Sequence, residues 1–235
     1  MLRSLPFAAL LGGLILSASA QAVDVDPATY GYPITNPFEA TIATTPPQMR
    51  PLLPDEDDIN QSDYTLNLRP EREHILPANF WAVKKLTYRM AKQDHPAPLM
   101  FLIAGTGAAY DSSLNEYLKK LFYQEGYHVV QLSSPTSYDF MSSASRLATP
   151  GISQYDAEDL YHVMQAVRAQ QAKLPVTDYY LAGYSLGALD AAFVSHLDET
   201  RKSFNFKKVL MLNPPVNLFT SISNLDKLVQ TEVKG

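Results

Sequence analysis

The chain has 235 residues, of which 46% are hydrophobic, and its 19 Lys and Arg against 24 Asp and Glu give a formal net charge of −5 at pH 7. That apolar fraction is enough to bury a sizeable core, whereas the mild acidity gives no electrostatic reason to expect nucleic-acid binding. Because the sequence has no cysteine, disulfides are excluded as a means of stabilising it.

Residues 1–20 have the pattern of a secretory signal peptide. Arg3 precedes an apolar run over residues 7–16, and Ala18 and Ala20 are the small residues that signal peptidase requires. The run is too short for a membrane span, and no later segment approaches the roughly 20 apolar residues of a transmembrane helix. We therefore expect cleavage after Ala20 and a periplasmic or secreted protein without a transmembrane segment.

Residues 21–61 differ in composition from the rest of the chain. They contain seven prolines and little apolar periodicity, which predicts a proline-rich extended arm rather than a folded domain. The acidic cluster at residues 55–58 lacks the Asp-x-Asp-x-Asp-Gly alternation of a calcium loop, so we interpret it as a solvated loop. The sequence indicates neither a metal site nor a cofactor.

Strand and helix patterns alternate through the remaining residues, 62–235. Residues 64–68 alternate like a strand, and residues 80–88 fit either a strand or a short helix. Residues 98–104 form a continuous apolar run, which predicts a central strand that is buried on both faces. A helix is then predicted over residues 111–122, with Gly126 at its C-cap.

The strand-and-helix unit then repeats to the end of the chain. Further strands are predicted at residues 127–132, 179–182 and 208–213, and helices at residues 156–171 and 188–202. This alternation predicts an α/β fold with a mostly parallel central sheet and helices on both faces. Ligands of such sheets bind beyond the carboxyl ends of the strands, where Ser185 and residues 105–107 are expected to lie.

The segment Gly183-Tyr184-Ser185-Leu186-Gly187 stands between a predicted strand and a predicted helix. A G-x-S-x-G sequence in that context predicts a nucleophile elbow. The glycines omit side chains where strand and helix come close, so the serine can adopt a strained conformation with an exposed hydroxyl, as an acyl-transfer nucleophile needs. The alternative is a Gly-Ser turn that joins a strand to a helix without a chemical role.

The order of strand, glycine loop, helix, strand, helix, elbow and strand across residues 62–222 resembles the α/β-hydrolase superfamily of serine esterases and lipases. The resemblance implies that Ser185 is the nucleophile, with a small-molecule or lipid acyl substrate. It also implies an oxyanion hole built from the backbone N–H of Thr106 or Gly107 and that of Leu186. Residues 105–107 could instead be a plain strand-to-helix connection.

A dinucleotide-binding loop is a further alternative for residues 105–107. It would require a glycine where Tyr110 stands, and no fitting acidic partner is evident.

The resemblance implies an acid and a histidine that follow the nucleophile in the chain. No histidine of the sequence fits that place, and we interpret all five as surface or packed residues: His74, His95, His128, His162 and His196. Asp190 and Asp226 are candidates for the acid, and neither is assigned. Since the sequence stops at Gly235 within a predicted cap helix, we expect a truncated hydrolase, inactive in this form, whose acid and histidine lie beyond that residue.

Two hypotheses therefore remain for the function. The first is an exported serine hydrolase that acts on a carboxylic ester or other acyl substrate through a Ser185 acyl-enzyme. The second, suggested by the missing histidine and the proline-rich arm, is a non-catalytic binding or scaffold protein with a hydrolase fold. Residues 218–225 could begin a lid over an acyl site or form a packed loop that enters a helix.

Overall fold

The computed structural model describes residues 33–43, 45, 50–72 and 84–233. The predicted signal peptide lies outside the described residues, so cleavage and export stay predictions. The chain divides into two units, Met1–Pro51 and Leu52–Gly235. None of the helices within the described ranges is both long enough and apolar enough to cross a membrane.

The first unit contains one described helix, α1 (Pro37–Ala43). It lies inside the segment predicted as an extended arm, so that prediction missed a short helix. Asn36 precedes it, and its Oδ1 accepts the N–H of Glu39 at 3.2 Å, which is the hydrogen bond of an N-cap. Proline is tolerated at the first helical position because the N–H that it lacks has no intrahelical partner there.

The second unit is built on a six-stranded sheet. Its strands are β1 (Gln61–Leu66), β2 (Leu86–Ala91), β3 (Ala97–Ile103), β4 (His128–Leu132), β5 (Val176–Tyr184) and β6 (Val209–Leu212). The strand order is β1-β2-β4-β3-β5-β6. β2 is antiparallel to both of its neighbours, and the pairs β4-β3, β3-β5 and β5-β6 are parallel. The predicted α/β fold with a mostly parallel sheet is confirmed.

Five α-helices in the described part of this unit accompany the sheet. They are α2 (Ser113–Gln124), α3 (Tyr138–Ser143), α4 (Ser153–Gln170), α5 (Leu186–Arg201) and α6 (Leu218–Val233). Helix α3 falls between the strand predicted at residues 127–132 and the helix predicted at residues 156–171, where the sequence indicated no helix. The strand predicted within residues 80–88 begins only at Leu86, and residues 80–83 lie outside the described part. Gly126 ends α2 as predicted, because its φ of 83° lets Tyr127 N–H bond the carbonyl of Phe122.

The core lies on both faces of the central strands. Along β3, Phe101 and Ile103 join the apolar cluster that contains side chains of α4 and α5. Met100 and Leu102 join a second cluster, which contains Leu118 of α2. This alternation places one helical layer on each face, and the burial of successive residues explains why β3 reads as an unbroken apolar run.

Strand β6 and helix α6 are much more exposed than the centre of the sheet. On β6, which is an edge strand, Leu210 and Met211 are 44% and 46% exposed. Residues 218–225 form the first half of α6, and Phe219 and Ile222 are exposed there. These residues are therefore helical and solvent-facing, unlike the packed loop that the sequence left as one interpretation.

Candidate active site

Ser185 occupies a one-residue turn between β5, which ends at Tyr184, and α5, which begins at Leu186. Its backbone angles are φ 54° and ψ −125°, a region that residues other than glycine rarely adopt and that costs about 1–3 kcal/mol. Its N–H donates to the carbonyl of Leu212 at 2.9 Å, and the residue is exposed. The turn thus has the geometry predicted for a nucleophile elbow.

The glycines on either side of the elbow are required by close backbone contacts. A Cβ atom on Gly183 would lie 2.1 Å from the carbonyl oxygen of Gly187. A Cβ atom on Gly187 would lie 2.4 Å from the carbonyl oxygen of Ala104 at the end of β3. Because these contacts are with backbone atoms, any side chain here would push α5 away from the sheet and move Ser185.

The loop of residues 105–112, which follows β3, lies directly beside the elbow. A Cβ atom on Gly105 would lie 2.7 Å from Cε2 of Tyr184 and 3.1 Å from Cβ of Ser185. The hydroxyl groups of Ser112 and Tyr184 are 3.0 Å apart and share a hydrogen bond. The fold therefore brings together the two sequence segments that were predicted to meet at the carboxyl edge of the sheet.

The three predicted oxyanion donors differ in how their N–H groups are used. Gly107 N–H donates to Oγ1 of Thr136 at 2.7 Å, so it is already committed. Thr106 N–H donates to no acceptor among the described residues, and Thr106 is exposed. Leu186 is the first residue of α5, where an N–H has no intrahelical acceptor and the helix dipole favours an anion. The N–H groups of Thr106 and Leu186 are therefore available as oxyanion donors, whereas the N–H of Gly107 is already used in a hydrogen bond to Thr136.

Of the four histidines that the structure describes, none has a hydrogen bond to Ser185. His128 is fully buried, its Nδ1 accepts the N–H of Gln93 at 3.0 Å, and desolvation lowers its pKa. His95 and His196 contact Asp94 and Glu199, their neighbours in sequence. His162 is exposed, and His74 lies outside the described residues. These positions agree with the interpretation as packed or surface histidines.

Neither of the two carboxyl groups considered from the sequence has a hydrogen bond to a described histidine. Asp190 is 1% exposed, and burial, followed by the charge of Asp156, raises its pKa to about 8. A carboxyl group that keeps its proton at pH 7 cannot stabilise an imidazolium ion. Asp226 is exposed on α6. Within the described ranges, no group of three or more His, Asp and Glu side chains could hold a metal ion.

A run of hydroxyl-bearing residues near the elbow was not recognised from the sequence. Residues 133–137 read Ser-Ser-Pro-Thr-Ser and directly follow β4. Their position after the carboxyl end of a strand was the one signal that could have drawn attention to them. They contact the loop of residues 105–112 through hydrogen bonds, including the one from Gly107 N–H.

Solved structures resemble the chain, although no protein-family model matches its sequence and no curated protein matches it either. The hyperthermophilic esterase from the archaeon Pyrobaculum calidifontis is 19% identical, with a TM-score of 0.50, over 71% of this chain and 48% of that one. Carboxyl esterase 2 from the mycorrhizal fungus Tuber melanosporum is 19% identical, with a TM-score of 0.48, over 76% of this chain and 56% of that one.

The class of fold follows from the strand order, the elbow and the likeness to the Pyrobaculum calidifontis esterase together. The chain has the α/β-hydrolase fold. It spans about half the length of these solved esterases.

Proposed function

We propose that this chain carries the nucleophile of a serine hydrolase that cleaves carboxylic esters through an acyl-enzyme on Ser185. The observation that carries the proposal is the strained, exposed turn at Ser185, where φ is 54°, next to the loop of residues 105–112. Strain of this kind persists only where the surrounding structure enforces it, and it concentrates at functional sites. The solved structures that resemble the chain bear the names of esterases, which supports the same reaction.

In the proposed reaction, Oγ of Ser185 transfers its proton to a base and attacks the carbonyl carbon of the ester. The carbonyl oxygen becomes an anion, to which the N–H groups of Thr106 and Leu186 would donate. The intermediate then expels the alcohol, which takes up the proton, and the acyl group stays on Ser185. Water releases the acid by the same steps.

The base of this reaction is not among the described residues near Ser185. The resemblance places a histidine later in the chain than β6. Because none of the four described histidines has a hydrogen bond to Ser185, we infer that residues 1–235 alone hydrolyse esters poorly.

An acyl substrate with an apolar portion fits the surroundings of Ser185. Segments that follow the carboxyl ends of β4 and β6, the strands on either side of the β3-β5 pair, expose large apolar side chains. They are Tyr138, Leu147, Ile152 and Tyr155 after β4, and Val216, Phe219 and Ile222 after β6. The signal-like residues 1–20 add the proposal that the enzyme acts in the periplasm or outside the cell.

The second candidate is a non-catalytic binding protein that keeps the hydrolase fold. The observation in its favour is that no described histidine has a hydrogen bond to Ser185. His128, His95 and His196 contact other residues, and His162 is exposed. In that case the elbow would be structural, and its hydroxyl would not react.

A fluorophosphonate probe separates the two candidates. We expect the full-length protein to be labelled at Ser185 and to hydrolyse short-chain esters, and the Ser185→Ala variant to lose both properties. Ser203→Ala is the matched control, because Ser203 is exposed and follows α5, which ends at Arg201. Equal labelling of the Ser185→Ala variant, or a folded wild-type protein that neither reacts with the probe nor turns over, would contradict the proposal.

A further inference from the structure

We propose that Thr136 is a positioning residue, which accepts the Gly107 N–H and so fixes the turn of residues 105–108 that presents the Thr106 N–H as an oxyanion donor. This inference rests on the proposed function of Ser185. Thr136 lies on the loop of residues 133–137, called here the hydroxyl loop, which joins β4 to α3. It is half-buried and is not expected to touch the substrate.

The hydroxyl loop is bonded to the neighbouring loop of residues 105–112 at three successive points. Gly107 N–H donates to Thr136 Oγ1 at 2.7 Å. The N–H of Ser134 donates to the carbonyl of Ala108 at 3.0 Å. The N–H of Tyr110 donates to Oγ of Ser133 at 2.9 Å. The two loops are therefore held side by side along most of the glycine segment.

The hydroxyl loop is itself firmly anchored, so it can serve as a fixed support. The carboxylate of Asp139 accepts hydrogen bonds from the hydroxyl groups of Ser133 and Ser137. Ser133 and Ser134 are fully buried. The hydroxyl of Ser134 also shares a hydrogen bond with that of Thr136 at 2.8 Å. Thr136 Oγ1 is thus held by Ser134 as well as by Gly107.

These contacts decide which N–H group remains available near Ser185. Ala108 N–H donates to the carbonyl of Gly105 at 3.0 Å, and Gly107 has a φ of 69°, as the third residue of a type II turn does. Type I and type II turns differ in the orientation of their central peptide, which here joins Thr106 to Gly107. By accepting the Gly107 N–H, Thr136 favours the type II orientation and fixes the turn, whose first peptide, Gly105–Thr106, carries the Thr106 N–H.

Two variants of the full-length protein test the role of the Thr136 hydroxyl. Thr136→Val keeps the shape of the side chain and removes the acceptor, and we expect kcat to fall by about 10- to 100-fold, because a misplaced donor weakens transition-state stabilisation. KM should stay within about twofold, since the ground state does not use that donor. Thr136→Ser restores the hydroxyl and should return kcat to near the wild-type value.

Thr136→Ala controls for misfolding caused by the methyl group that valine places where the hydroxyl was. It should show the same loss of kcat as Thr136→Val. Melting temperatures of the variants report whether the fold is kept; little change is expected because Gly107 is exposed and its N–H can bond water. An unchanged kcat in both Thr136→Val and Thr136→Ala would overturn the inference. So would a rise in KM at constant kcat, or a loss in Thr136→Ser as large as in Thr136→Val.

The proposed function and this inference fail in distinguishable ways. If wild-type protein does not react with a fluorophosphonate probe, the role of Ser185 is wrong and the inference about Thr136 is refuted with it. If Ser185 reacts and turns over normally while Thr136→Val matches the wild type, only the role of Thr136 is wrong.

Discussion

Asp190 offers a test of the structure that does not depend on catalysis. It lies in the first turns of α5, is 1% exposed, and its Oδ2 has no hydrogen-bond partner among the described residues. Burial is the main cause that raises its pKa to about 8, whereas an unfolded aspartate has a pKa of about 3.9. Between these two pH values, the folded protein keeps a proton that the unfolded chain releases.

The pH dependence of stability follows from this difference. Because the folded state binds the extra proton, Asp190 contributes to the free energy of unfolding. That contribution is fully present below about pH 3.9 and is lost as the pH rises through about 8. Within that window the free energy of unfolding falls by about 1.4 kcal/mol per pH unit. The loss between pH 5 and pH 7 is therefore about 3 kcal/mol, a sizeable part of the about 5–15 kcal/mol that stabilises a typical domain.

Asp190→Asn removes this dependence, because the amide has nearly the same shape and does not ionise. We expect the stability of the variant relative to wild type to increase by about 3 kcal/mol between pH 5 and pH 7, measured by urea denaturation followed by circular dichroism. Asp156, whose pKa burial also raises, titrates in both proteins. Asp226→Asn, at an exposed aspartate, should change nothing. A stability difference between Asp190→Asn and wild type that is the same at both pH values would refute the reasoning.

Two further predictions concern the elbow. Gly187→Ala should destabilise the fold by about 1–3 kcal/mol, because its Cβ would lie 2.4 Å from the carbonyl oxygen of Ala104; urea denaturation tests this, and an unchanged midpoint would contradict it. Ser185→Gly should stabilise the fold by about 1 kcal/mol, since glycine adopts the φ of 54° without strain, while it abolishes probe labelling. A lower melting temperature for this variant would show that the turn is not strained.

Local sequence patterns predicted the central part of the fold correctly. The apolar run that became β3 (Ala97–Ile103) reflects burial on both faces, and such burial requires apolar side chains at every position. The elbow was also visible, because Gly183 and Gly187 meet backbone atoms at distances that exclude any side chain. Steric requirements of this kind act at fixed sequence positions, so they leave a recognisable motif.

Short helices were harder to predict than the strands. Helix α1 (Pro37–Ala43) begins at a proline within a proline-rich segment, and the same residues that cap and start it also favour extended chain. Helix α3 (Tyr138–Ser143) spans only six residues, which is too few for an apolar period to show. In α3, Ser142 and Ser143 bond backbone carbonyls of the preceding turn, a use of serine that its helix propensity does not indicate.

The sequence by itself determined the class of fold, the strained position of Ser185 and the two segments that meet beside it. Only the tertiary structure decided how the polar groups around them are used. Gly107 gives its N–H to Thr136, 29 residues further along the chain, and Asp190 loses contact with water because α4 and α5 pack together. The physical reason is range: steric limits on a turn act between adjacent residues, whereas hydrogen-bond partners and desolvation depend on which distant segments the fold places in contact.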